Sequence, residues 1–222
     1  VANLGDAILF PGLVNAHTHL ELSALGGQLP GGVGLAGWVR ALIALRPVVS
    51  ESDIVKRATE EAEHLAHAGT ALVGDVCNTG ASYGPLQQAG LYARLFHEAI
   101  GFNSERADEV AAQCEERIAR FPDTPRIAGS IAAHSPYSVS PALFRRVGVL
   151  AKRLGRATAL HLAESPEEVA FVRTGMGPIR DLLEELCVWD GAWEPDARGP
   201  VRYVDSLGFL TPSTVCVHLT QA

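Results

Sequence analysis

Short apolar runs alternate with amphipathic stretches along most of the chain, and several of the runs end in a histidine or an acid. Ala7 to Ala16 is largely apolar and leads into His17, which predicts a strand. After a glycine-rich loop from Gly26 to Gly37, Trp38 to Leu45 has a short helical pattern. Asp53 to Ala68 reads as a longer helix, with Ser52 or Asp53 near its cap and Gly69 closing it. Thr70 to Val76 is the next apolar run, with Asp75 near its end. Leu91 to His97 reads as a strand, Glu105 to Arg120 as a helix stopped by Pro122, and Arg126 to Ala133 as a strand ending at His134. Pro141 to Leu154 is a predicted helix with Ser140 as N-cap and Gly155 beyond its end. Ala157 to Leu162 is a strand containing His161, Pro166 to Thr174 starts another helix, and Val215 to Leu219 is a last strand containing His218.

Strands separated by helical patterns indicate βαβ units and a parallel sheet. Six strands can be counted in this way, whereas an eight-stranded (β/α) barrel typically needs about 250 residues. The expected fold class is therefore α/β, a TIM-like (β/α) barrel of which residues 1–222 carry about six of eight βα units, with the last units lying beyond Ala222. One stretch breaks the rhythm. The segment between Met176 and Pro200 is long, carries Trp189 and Trp193, and ends in turn formers. It reads either as a lid insertion over residues 177–200 or as a variable surface loop.

Composition narrows the functional classes. With 222 residues, 47% hydrophobic and 19% charged, the chain suits one globular domain with a sizeable core. No apolar run is long enough to cross a bilayer, and Val1 to Asp6 lacks the start of a signal peptide, so a cytoplasmic protein without a membrane partner is expected. The net charge of −7 and the lack of a basic patch argue against a nucleic-acid partner. Cys77, Cys114, Cys187 and Cys216 are far apart and form no CxxC pair, so reduced thiols are expected.

The candidate chemistry is positional. His17, His97, His134, His161 and His218 all fall at predicted strand ends, and in a parallel barrel the carboxyl ends of the strands form the face that holds the site. In His17-Thr18-His19 the two imidazoles are two residues apart, so an extended backbone points both the same way, toward one ion. Taken alone, a His-x-His pair is a weak signal. Its setting at the end of an apolar run strengthens it. His161-Leu-Ala-Glu164 adds a third imidazole and a carboxylate at the same rim, and a carboxylate near a bound metal can move protons. Glu164 could equally cap the helix that starts near Pro166.

The segments PGLVNAHTHLELS, AAHSPYSVS, HLAES and VCVHLT resemble the amidohydrolase superfamily, in particular its amino-heterocycle deaminase branch. That branch includes cytosine, guanine, adenosylhomocysteine and aminofutalosine deaminases and the chlorotriazine hydrolases. The resemblance implies a barrel of the metal-dependent hydrolase type. It implies that His17, His19 and His161 are metal ligands, that Glu164 is the proton shuttle and that His218 orients the attacking water. His134 matches a position that touches substrate, and Glu21 and Asp75 are further candidate substrate contacts. A fourth ligand, an Asp after the eighth strand, would lie beyond residue 222. Two-metal members place a carboxylated Lys at the end of the fourth strand. Here that position is His134, and neither Lys56 nor Lys152 stands at a strand end, which favours a single divalent ion. Zinc is the default, and iron also suits such ligands. The implied activity is hydrolytic deamination of an amino-substituted N-heterocycle, a small-molecule substrate. The alternatives are hydrolysis of a cyclic amide, as in imidazolonepropionase-like members, and a barrel that binds metal or ligand without catalysis. Homodimers are common in families of this kind.

Overall fold

The computed structural model describes residues 3–222. Six parallel strands run in sequence order across one sheet: β1 (Leu13–Thr18), β2 (Thr70–Cys77), β3 (Tyr92–Ala99), β4 (Ile127–Ala133), β5 (Thr158–Leu162) and β6 (Thr214–His218). Among the described residues eight α-helices accompany them: α1 (Gly34–Leu45), α2 (Glu51–His67), α3 (Tyr83–Gln88), α4 (Ala107–Arg120), α5 (Pro141–Leu154), α6 (Pro166–Thr174), α7 (Pro178–Glu185) and α8 (Pro200–Ser206). The strand order and helical connections are those of a partial TIM-like barrel. β1 and β6 stand at opposite ends of the strand order, yet the rings of His17 and His218 lie 5.8 Å apart. The sheet therefore curves far enough to bring its first and last strands to one site.

Strand alternation sorts the residues. Val76, Phe96, Ala132 and Ala159 face one another, with Val215, inside the curve of the sheet. Their neighbours Cys77 and Leu95 face out and pack with Ala58 and Ala62 of α2. A larger outer core joins α4, α5 and α6 through Cys114, Leu143, Phe144, Val147, Phe171 and Val172. Between β4 and β5 the backbone pairing is short, and hydroxyls extend it: Ser130 donates to the Ala157 carbonyl and Thr158 to the Ile131 carbonyl.

Helix signals account for the best-placed boundaries. Ser140 accepts the Leu143 N–H, Pro141 opens α5, and Gly155 closes it at φ 62°. Ser165, Pro166 and Gly175 do the same for α6. Other boundaries differ from the sequence reading. α2 starts at Glu51 because Ser50, rather than Ser52 or Asp53, provides the cap. α1 begins at Gly34, four residues before Trp38. The predicted first strand is cut at its start, since Pro11-Gly12 separates the exposed Ile8, Leu9 and Phe10 from β1. The segment after Met176 is not a continuous loop. It holds α7, and its tryptophans are packed: Trp193 stacks on Phe171 at 4.8 Å and donates to the Tyr203 hydroxyl, while Arg180 lies over Trp189. No helix among the described residues is long and apolar enough to cross a membrane.

Two glycines test the packing with opposite signs. A Cβ on Gly74 in β2 would meet the Ala16 carbonyl of β1 at 2.3 Å, beside His17. Gly74→Ala is expected to cost roughly 1–3 kcal/mol in urea denaturation, because two backbones must part. At Gly148, inside α5, a Cβ would meet only Phe209 at an ordinary 3.7 Å. Gly148→Ala is expected to stabilise by about 0.5–1 kcal/mol through helix propensity.

Candidate metal centre and its acids

His17 and His19 project from the end of β1 to the same side, as their spacing requires, and meet His161 from β5. Ring centroids are 4.7 Å apart for His17 and His19, and 4.9 Å for His17 and His161. The Nε2 atoms of His19 and His161 approach to 3.1 Å. Burial disfavours a charge on each ring, and the neighbouring imidazoles disfavour it further. His17 is lowered to about 4, His161 to about 3, and His19 strongly in the same direction. All three are neutral at physiological pH, the state in which imidazole binds metal.

The donor set fits a small divalent cation. One nitrogen from each of the three rings lies within 4.8 Å of the others, and His17 Nδ1 is buried with no hydrogen-bond partner. His161 is further oriented from behind. Its Nδ1–H donates to the His134 carbonyl at 2.9 Å, which leaves Nε2 as the lone pair facing His19. Glu98, His134 and His161 form a second cluster with ligand-like spacing. It shares His161, whose Nδ1 is already committed to that carbonyl.

Glu164 and His218 face each other across the ends of β5 and β6, with Glu164 Oε1 3.7 Å from His218 Nε2. Both are about one-third exposed, so they reach solvent while the three-imidazole cluster is largely covered. Burial raises the Glu164 carboxyl above its ordinary value, partly offset by His218. Glu164 does not cap α6, since the Ser165 side chain does that. The His134 ring, lowered to about 4 by burial, has Nδ1 bonded to the hydroxyls of Ser138 and Ser135.

The other two candidate acids are committed elsewhere. Asp75 is fully buried, and its Oδ1 accepts the Leu20 N–H at 2.9 Å. Glu21 holds the loop after β2: its carboxylate accepts the N–H groups of Asn78, Gly80 and Ala81 and the Thr79 hydroxyl. These bonds secure the segment that follows His19; those of Glu21 engage both of its oxygens, and Asp75 is sealed off from solvent. His97 ends no site at all. It lies on the outer side of β3, 3.5 Å from Cys77 Sγ and stacked on Phe121. Its neighbour Glu98 takes the inward position, with Oε1 3.7 Å from His161 Nδ1 and Oε2 accepting from Asn78. Sequence reading passed over Glu98. Counting by twos from the inward Phe96 would have found it.

Both the sequence and the fold of the chain match known proteins. The sequence profile of the amidohydrolase family matches residues 8–193. The chain is 30% identical to the aminodeoxyfutalosine deaminase of Deinococcus radiodurans, over 97% of this chain and 52% of that protein. It is also 30% identical to a 5-methylthioadenosine/S-adenosylhomocysteine deaminase of Nitratidesulfovibrio vulgaris, over 100% of this chain and 47% of the relative. Its fold superposes on an adenosine deaminase from Xanthomonas campestris with bound zinc, at a TM-score of 0.72 and 26% identity, covering 96% of this chain and 45% of that one. The chain spans about half the length of the curated relatives it matches.

Both committed acids have measurable signatures. Glu21→Ala is expected to lower stability by roughly 2–4 kcal/mol, since the buried Gly80 N–H and the partly covered donors of Asn78, Thr79 and Ala81 lose their partner. A loss of substrate affinity at unchanged stability would instead make Glu21 a substrate contact. Burial raises the folded-state Asp75 carboxyl to about 7. Between about pH 4 and pH 7 the unfolded chain carries this group ionised while the fold keeps it protonated, so its contribution falls as pH rises and levels above 7. Asp75→Asn removes that slope, so urea midpoints at pH 4.5 and 7.5 should shift in the variant's favour by roughly 2–4 kcal/mol across the interval.

Proposed function

The chain belongs to the amidohydrolase family, and on that premise we propose that it contributes the metal-binding histidines of an enzyme that hydrolytically removes an amino group from a nitrogen heterocycle. The observation that carries this reading is the convergence of His17, His19 and His161 with Glu164 and His218 at the ends of β1, β5 and β6. His17, His19 and His161 would hold one divalent ion. Zinc is favoured by three neutral imidazoles and by the zinc-bound structural relative. An ion held there supplies Lewis-acid activation of water at neutral pH.

The chain's own groups perform the proton work. Water adds to the sp² carbon that bears the amino group, and the C–N bond then breaks to release ammonia. The His218 imidazole holds the incoming water beside Glu164. Glu164 gives its proton to the adjacent ring nitrogen, takes one from the water and passes it to the departing amine, and the remaining water proton returns to Glu164 as the carbonyl forms; its raised carboxyl value favours the protonated form at the start of this cycle. His134 Nδ1 is engaged by serine hydroxyls, so the ring is fixed with Nε2 available to the substrate. The relatives' names include adenosine and methylthioadenosine, which supports an amino-purine nucleoside as the substrate class.

A panel of amino-purine nucleosides, amino-pyrimidines and aminofutalosine, assayed for ammonia on the full-length chain, tests the reaction class. Ammonia release from a nucleoside supports it. Turnover of a cyclic amide without ammonia overturns it. Glu164→Gln should retain metal and lose about 10²–10⁴-fold in kcat. Full turnover at full metal content would remove Glu164 from proton transfer. His161→Ala should lose bound metal, read by elemental analysis, with the fold retained.

A further inference from the structure

Glu164 must present its carboxyl group within reach of both His218 and a substrate, and its backbone is held by an unusual set of ties. Ala163, one residue before it, is fully buried and has φ 52°, a left-handed conformation that costs a non-glycine residue roughly 1–2 kcal/mol. Three of the four non-glycine residues with positive φ among the described residues are Ala163, His218 and Leu219, at the ends of β5 and β6. Backbone of this kind persists only where surrounding bonds impose it.

Those bonds are present on both sides of Glu164. Glu168 is fully buried in the first turn of α6. Its Oε1 accepts the Ala163 N–H at 2.9 Å and its Oε2 accepts the Glu164 N–H at 2.7 Å. On the other side, the Thr220 hydroxyl donates to the Glu164 carbonyl at 2.7 Å, and the Gln221 N–H donates to the Ala163 carbonyl at 2.9 Å. In a capping box the third helical residue returns a bond to the N-cap backbone. Here Ser165 is the N-cap and accepts the Glu168 N–H, but the Glu168 carboxylate reaches past it to the two residues before. The bond from Ser165 already caps α6, so what the Glu168 carboxylate holds is the turn. A buried carboxylate is costly to desolvate, and this one spends both oxygens on the residue that carries the proposed acid and on its predecessor.

We infer that Glu168 is a positioning residue, whose buried carboxylate sets the strained turn at Ala163 and so aims the Glu164 carboxyl group at His218. Thr220 completes the brace from β6. The inference rests on the reading of Glu164 as the proton-transfer acid.

Glu168→Gln keeps the shape of the side chain but sets its amide NH₂ against one of the two N–H donors, so one bond is lost. In the metal-free protein, amide exchange at Ala163 and Glu164 should accelerate about 5- to 10-fold while β5 and β6 stay protected. In the metal-loaded full chain, metal content should match the wild type and KM should stay within about 3-fold, while kcat falls about 10- to 100-fold. In a Glu164→Gln background the same change should cost less than about 3-fold, because the aimed group is gone. Thr220→Val, which loses the hydroxyl to the Glu164 carbonyl, should give the same pattern more weakly and serves as the probe should Glu168→Gln fold poorly. An unchanged kcat in Glu168→Gln, or a full further loss in the Glu164→Gln background, overturns the positioning role and leaves Glu168 a stability element. If Glu164→Gln itself turns over normally, the underlying reading of Glu164 fails, and this inference falls with it.

Discussion

Two imidazole nitrogens facing each other at 3.1 Å impose a condition on everything around them: at most one proton fits between them, and both must be bare lone pairs to share a metal ion. The site meets it in two ways. Burial and mutual repulsion keep the His17, His19 and His161 rings neutral. The His134 carbonyl takes the Nδ1 proton of His161, so that ring presents a lone pair rather than a donor at its other nitrogen. The same carbonyl also accepts the His161 backbone N–H, so the junction of β4 and β5 fixes both the position and the tautomer of this imidazole.

The acids around the cluster divide into those that build and the one that is left free. Glu21 and Asp75 secure the backbone just after His19. Glu168 secures the turn before Glu164. Glu98 is held by Asn78 behind His161. Each is almost fully buried, and each accepts at least one N–H of the scaffold. Glu164 is the exception, partly exposed, with its side chain facing His218 rather than a backbone donor. A group that must gain and lose a proton needs such freedom, whereas a group locked between backbone amides is held to one role.

The outer shell shows why the long connection between β5 and β6 is ordered. Phe102, from the loop after β3, meets Phe171, Trp189 and Trp193, and Trp193 in turn bonds Tyr203 of α8. Large rings with at most one polar atom each can close such a cluster, and here the Trp193 N–H finds the Tyr203 hydroxyl. The connection is thereby joined to α6, whose first turn carries Glu168.

Periodicity and capping chemistry are local, and they were legible along the chain. The strand–helix alternation, the caps of α5 and α6, and the placing of His17 beside His19 and of Glu164 just past His161 follow from spacings of a few residues, whereas the meeting of His161 with the first two histidines needs the sheet to curve. What the sequence could not decide was phase and partnership. His97 and Glu98 sit side by side at the end of one strand, and only the packing of Phe96 into the sheet interior determines that Glu98 turns inward and His97 outward. Glu21, Asp75 and Glu168 look alike as acids near strand ends. Their roles are set by backbone donors, and for Glu21 and Asp75 these lie more than fifty residues away in sequence. A carboxylate's function depends on whether such donors use its lone pairs, and chain folding alone brings those donors within reach.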